Sequence, residues 1–142
     1  MATEARRLRV QLDPDARLAA AVGGAARFLA DAAGLEHDAI AQLQSSVLAA
    51  CLEAFKHLPK AYPHLNVTLT RFLDRIEVAL SLQGEASPAV GLDAIVGLAA
   101  RIDSAGSGLG VFAGVDRVQY ETHGAETVTL LTKYIREVTP RL

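Results

Sequence analysis

Three groups of residues in this chain have the type and spacing to do chemistry. In the stretch AGSGLGVF, 105–112, glycines stand at alternate positions, Gly106, Gly108 and Gly110. Backbone N–H groups there can cradle an anion at a helix N-terminus whatever the side chains are. Glu53 and His57 are four apart in a run that reads as helix, so they share a face, a spacing that suits a metal or an acid–base pair. Cys51 is the single thiol. Each group also has a plainer account. Alternate glycines permit a tight junction with positive φ, and that role explains them. Two candidate ligands do not make a metal site, and an intrahelical Glu–His contact explains Glu53 and His57. Cys51 lies on an apolar stripe and fills core space as a small hydrophobe. His37, His64 and His123 fall in loops or at element ends, and nothing in their spacing brings them to Glu53. The chain has no Ser–His–Asp arrangement, CxxC pair or Walker-type loop.

The elements that must position these residues follow from periodicity. Leu8 to Leu12 alternates apolar and polar like a half-buried strand, and the DPD turn ends it. Leu18, Val22, Phe28 and Leu29, with alanines between, predict a helix over Ala16 to Ala33 that stops at Gly34. Its internal pair, Gly23 and Gly24, costs about 1 kcal/mol per residue relative to alanine and suggests close helix packing. Ile40, Leu43, Val47, Cys51 and Ala54 predict a second helix from His37 to Leu58, ending before Pro59. Two strands follow, NVTLTRFL and RIEVALSL, with a tight connection at Asp74 and Arg75. LDAIVGLAARI, between turn-forming clusters, has the pattern of a short helix in a mobile segment, and DRVQYETH and ETVTLLTKYI form a final hairpin around Gly124. Asp13, Asp15 and Asp38 lie near helix starts, where negative charge suits the dipole. The order predicts an α+β, two-layer α/β sandwich with a mixed, mostly antiparallel sheet and helices on one face.

The chain's 142 residues are the size of one domain, 1–142. With 14 basic and 16 acidic residues the formal charge is −2, which offers no electrostatic footprint for nucleic acid or an anionic membrane. Arg6, Arg7 and Arg9 are a local exception, a basic cluster on the first strand of the kind found on solvated edges or against an acidic partner. One cysteine forms no internal disulfide, the N-terminus lacks a secretory apolar run, and the Ala-rich region is broken by Arg27 and Asp31. The expected location is the cytoplasm.

This order, with GSGLGVF, the TVTLLTKYI ending and CLEAFKH on the long helix, resembles the ATP-binding fold of the GHKL superfamily, most closely its small anti-sigma-factor serine kinases. Gly106, Gly108, Leu109, Gly110, Thr127, Thr129, Lys133 and Tyr134 match the family pattern. The resemblance implies a lid-like segment at about 84–110 and a nucleotide site touching Glu53, Gly84, Gly106, Gly108 and Gly110. Its motif on the long helix, E-x-x-x-N-A-x-x-H, falls on Ala49, Glu53, Ala54 and His57. Ala49 therefore stands where the family has its general base, and Glu53 where an amide holds Mg²⁺. An alanine accepts no proton, which removes a contribution of about 10²- to 10⁴-fold in rate. The family's adenine-binding aspartate is replaced by Leu82, which continues the alternation of Ile76, Val78 and Leu80. The helix after the glycines is shortened to VFAGVD.

The resulting expectation is a bacterial regulator of the partner-switching type with a degenerate ATP site and no catalytic residue, no metal and no cofactor. It binds a sigma factor or an anti-sigma-factor antagonist, and the resemblance leaves room for a homodimer through the first strand and neighbouring helix. Two alternatives stand beside it. One is an active ATP- and Mg-dependent serine/threonine kinase with Glu53 as a displaced base, and the other is a self-associating scaffold.

Overall fold

The computed structural model describes residues 6–83 and 113–135. The short helix expected within LDAIVGLAARI, the lid-like segment and the glycines from Gly84 to Gly110 lie outside them. The described elements are β1 (Arg6–Leu12), α1 (Ala16–Ala32), α2 (His37–Phe55), β2 (Leu65–Arg71), β3 (Arg75–Gln83), β4 (Arg117–His123) and β5 (Glu126–Tyr134). The strands form one five-stranded sheet in the order β1-β2-β3-β5-β4, and every neighbouring pair is antiparallel. The architecture is the α+β sandwich that the pattern predicts.

Local chemistry explains the element ends. Asp15 caps α1, accepting a hydrogen bond from the Arg17 N–H at 2.8 Å. At the other end Gly34 takes φ 81°, and the N–H groups of Gly34 and Leu35 donate to the carbonyls of Asp31 and Ala30. That is a Schellman motif, which satisfies carbonyls the helix leaves open. α2 ends at Phe55, three residues before the expected Leu58. The N–H groups of Lys56 and His57 donate to the carbonyls of Glu53 and Ala54, three residues back. This tightened last turn uses up those carbonyls and turns the chain out before Pro59.

The connection between β2 and β3 lies at 72–74, not at Asp74 and Arg75. Arg75 is already on the ladder, where it pairs with Tyr134. Its guanidinium lies 4.1 Å from the Phe72 ring centre and donates to Glu77 at 2.7 Å and to Asp74 at 2.8 Å. These contacts fix it as the first residue of β3. Between β4 and β5, Gly124 alone has positive φ, 65°, and leads a two-residue loop closed by the pair His123 and Glu126.

The register puts one face of the sheet against the helices. Leu65, Val67 and Leu69 of β2, Ile76, Val78, Leu80 and Leu82 of β3, and Leu131 of β5 are buried there. Ala19, Val22, Ala26 and Ala30 of α1 and Leu43, Val47, Ala50 and Ala54 of α2 complete the core. Small residues let the two helices approach closely. A Cβ on Gly23 would stand 3.3 Å from the Gln44 carbonyl oxygen, so Gly23 marks the close packing that the glycine pair suggests. Gly24 does not, because a Cβ there would meet nothing within 4 Å.

Candidate functional site

The helical period aligns Gln42, Ser46, Ala49 and Glu53 along one side of α2, and His57, two residues past its end, lies beside Glu53. The turn that leads into β4 lies against Ser46 and the Gln42 backbone, while Gln42 itself stays exposed. The N–H of Gly114 donates to Ser46 Oγ at 2.8 Å, and both residues are buried. The approach is so close that a Cβ on Gly114 would lie 2.1 Å from the Gln42 carbonyl oxygen. Ala49, next along, is half-buried and presents a methyl group.

Glu53 and His57 meet as their spacing predicts, with His57 Nε2 3.2 Å from Glu53 Oε2, and Lys56 Nζ stands 3.3 Å from Glu53 Oε1. The Glu53 side chain is 22% exposed. Partial burial pushes its carboxyl up, but the hydrogen bonds and charge of His57 and Lys56 outweigh it and hold the group below its ordinary value. Both carboxylate oxygens are engaged within the last turn of the helix. Among the described residues no group of three or more His, Cys, Asp or Glu is arranged to hold a metal ion.

Leu82 is fully buried near the end of β3, opposite Thr127. Thr127 and Thr129 are buried on the same face, each with a polar partner. Cys51 is buried, and burial raises its thiol to about 12. The histidines expected to be isolated from Glu53 have partners elsewhere. His64 Nδ1 lies 2.9 Å from Asp13 with its ring edge-on to Tyr62, and His123 lies 3.0 Å from Glu121. His37 is exposed at the start of α2. Asp13 thus serves His64, whereas Asp15 is the cap and Asp38 sits in the first turn of α2.

Two features were not visible in the sequence. The contact between Gly114 and Ser46 joins residues 68 apart, and only the glycine itself hinted at a close approach. The Tyr120 hydroxyl is buried without a hydrogen-bond partner among the described residues, and burial raises it to about 12.

The described fold, a five-stranded antiparallel sheet carrying two helices, has similar solved structures. A crystal structure of the RsbU and RsbW domains of Rv1364c from Mycobacterium tuberculosis is similar to it, with a TM-score of 0.60 at 16% identity. The match covers 92% of this chain and 33% of that one, so this chain spans about a third of the length of the chain it matches. The crystal structure of the SiaB-SiaC complex from Pseudomonas aeruginosa contains a chain with a TM-score of 0.52 at 14% identity, over 90% of this chain and 89% of that one. No protein-family model and no curated protein matches the sequence. Among the described residues no helix is long and apolar enough to cross a membrane.

Proposed function

We propose that this chain is a bacterial regulatory protein of the anti-sigma-factor kinase type that has given up ATP chemistry and acts by binding a protein. The likeness to an RsbW-containing structure and to a chain of the SiaB-SiaC complex supports a regulatory module, and the second of these is itself a protein–protein complex. A sigma factor or an anti-sigma-factor antagonist is the expected class of partner, in the cytoplasm, and a homodimer is compatible with this role.

The observation that carries the degenerate-site reading is the state of the α2 stripe. By resemblance a general base belongs at Ala49, where a methyl group stands. Leu82, where an adenine acceptor belongs, is fully buried in the core. A buried adenine amino group without a partner loses about 1–3 kcal/mol. Glu53 is tied to His57 and Lys56. A carboxylate held below its ordinary pKa is also a weakened proton acceptor, which counts against the alternative of Glu53 as a displaced kinase base. The donor set does not fit Mg-ATP, and no catalytic step is derived through it.

Isothermal titration with Mg-ATP tests the reading. The expected result is no binding in the micromolar range, and micromolar binding would overturn it. Phosphate transfer to a cognate antagonist protein, abolished by Glu53→Gln, would establish the kinase instead.

A further inference from the structure

We propose that the β1 edge of the sheet docks an extended acidic segment of a partner protein, which adds to it as a further strand. Among the described residues β1 pairs only with β2, so every second residue turns its backbone N–H and C=O outward. Arg6, Arg7 and Arg9 on this strand are exposed, and Arg71 of β2 stands directly across from Arg6. Like charges placed opposite one another destabilise a ladder. Among the described residues none of these four arginines forms an ion pair or side-chain hydrogen bond, in a chain whose net charge is −2.

Any charged side chain, lysine above all, or a proline protects an edge; arginine adds to this a planar fork that grips carboxylates with two parallel hydrogen bonds. Between Arg7 and Arg9 stands Leu8, 45% exposed, which leaves an apolar patch open on the same edge. Arg7 and Arg9 project from the outer face of the sheet, in register with Thr70 and Thr68, and Leu8 projects from the helix-bearing face, in register with Leu69. Arg9 and Gln11 also border a shallow groove of about 500 Å³ on the outer face, with Asn66 and Thr68 along it and Glu126, hydrogen-bonded by the Ser81 hydroxyl, at its far side, so the partner's acidic side chains fall at the Arg9 end.

The complementary strand therefore alternates acidic and apolar residues, with carboxylates against Arg7 and Arg9 and a hydrocarbon side chain against Leu8. A second copy of this chain is the wrong occupant. In an antiparallel β1–β1 pair centred on Leu8, Arg7 faces Arg9 and Arg9 faces Arg7. Centring on Arg9 sets that residue against itself. Main-chain hydrogen bonds supply affinity in such strand addition, and alternate side chains supply specificity.

This inference rests on the protein-binding reading above and gives the partner its chemistry. The test is fluorescence anisotropy of a labelled Glu-Val-Glu-Val-Glu-Val peptide titrated with the full chain at low and physiological salt. Saturable binding is expected, at least tenfold weaker in the Arg7→Glu, Arg9→Glu double variant and regained when that variant meets a Lys-Val repeat. The milder Arg7→Lys, Arg9→Lys variant, which keeps the charge, should bind more weakly than the wild type but better than the reversal. Four results overturn the proposal: no saturable binding, equal affinity in the double variant, undiminished binding of a peptide N-methylated on alternate amides, or tighter binding of an oligonucleotide or anionic vesicle. A wild-type dimer dissolved by the charge reversal overturns it as well. The two readings fail separately. A chain that takes both Mg-ATP and the peptide overturns the degenerate site and leaves this edge intact, and one that takes neither overturns this edge alone.

Discussion

At the scale of single residues, Glu53 and Cys51 show how burial and partners decide what a reactive group does. The Glu53 carboxyl is held below its ordinary value, 4.5, so it binds fewer protons folded than unfolded. Its stabilising contribution is therefore complete above about pH 4.5 and is lost as the pH falls through the lowered folded value. Glu53→Gln should cost about 0.3–1 kcal/mol near neutrality, the range of partly exposed ion pairs. The difference between variant and wild type should shrink in acid, as followed by urea unfolding at a series of pH values. An unchanged difference down to pH 3 would mean that His57 and Lys56 do not hold the carboxylate. Cys51, buried and raised to about 12, should be silent to a thiol reagent in the native protein and react fully on unfolding. Rapid labelling of folded protein would contradict its place in the core.

Elements are decided by what each backbone segment touches. The two glycines of α1 look alike in sequence and differ in consequence. Gly24→Ala should stabilise the fold by about 0.5–1 kcal/mol, because alanine is the better helix former and the space beside it is open. Gly114→Ala should destabilise it strongly, since a methyl group 2.1 Å from the Gln42 carbonyl forces the turn off α2 and strips Ser46 of its hydrogen bond. Thermal unfolding of the two variants should move the midpoint in opposite directions. Element types were legible because Ile40, Leu43, Val47 and Cys51 keep a helical period and Ile76, Val78, Leu80 and Leu82 a period of two. Their ends were less so. α2 stops at Phe55 because its last turn tightens, and Arg75 joins β3 because Glu77, Asp74 and Phe72 hold it, neither of which a hydrophobic period records.

For the whole molecule, a ligand present at a hundred times its dissociation constant adds about 2.7 kcal/mol to stability. Millimolar Mg-ATP should therefore leave the thermal midpoint where it is, and a rise of several degrees would restore the nucleotide to this fold. The sequence by itself determined the number and kind of the described elements, the inward faces of α2, β2 and β3, and the absence of a proton acceptor at Ala49, because side-chain periodicity and identity are local properties. It misjudged α1, where Phe28 is 70% and Leu18 36% exposed while Ala19, Val22, Ala26 and Ala30 face the core. Only the tertiary structure decided that β5 lies between β3 and β4, that Gly114 closes over Ser46, and that Arg71 stands across from Arg6. Those relations join residues far apart along the chain, and the energy that selects them, close packing and the pairing of strand edges, exists only once the chain has come together.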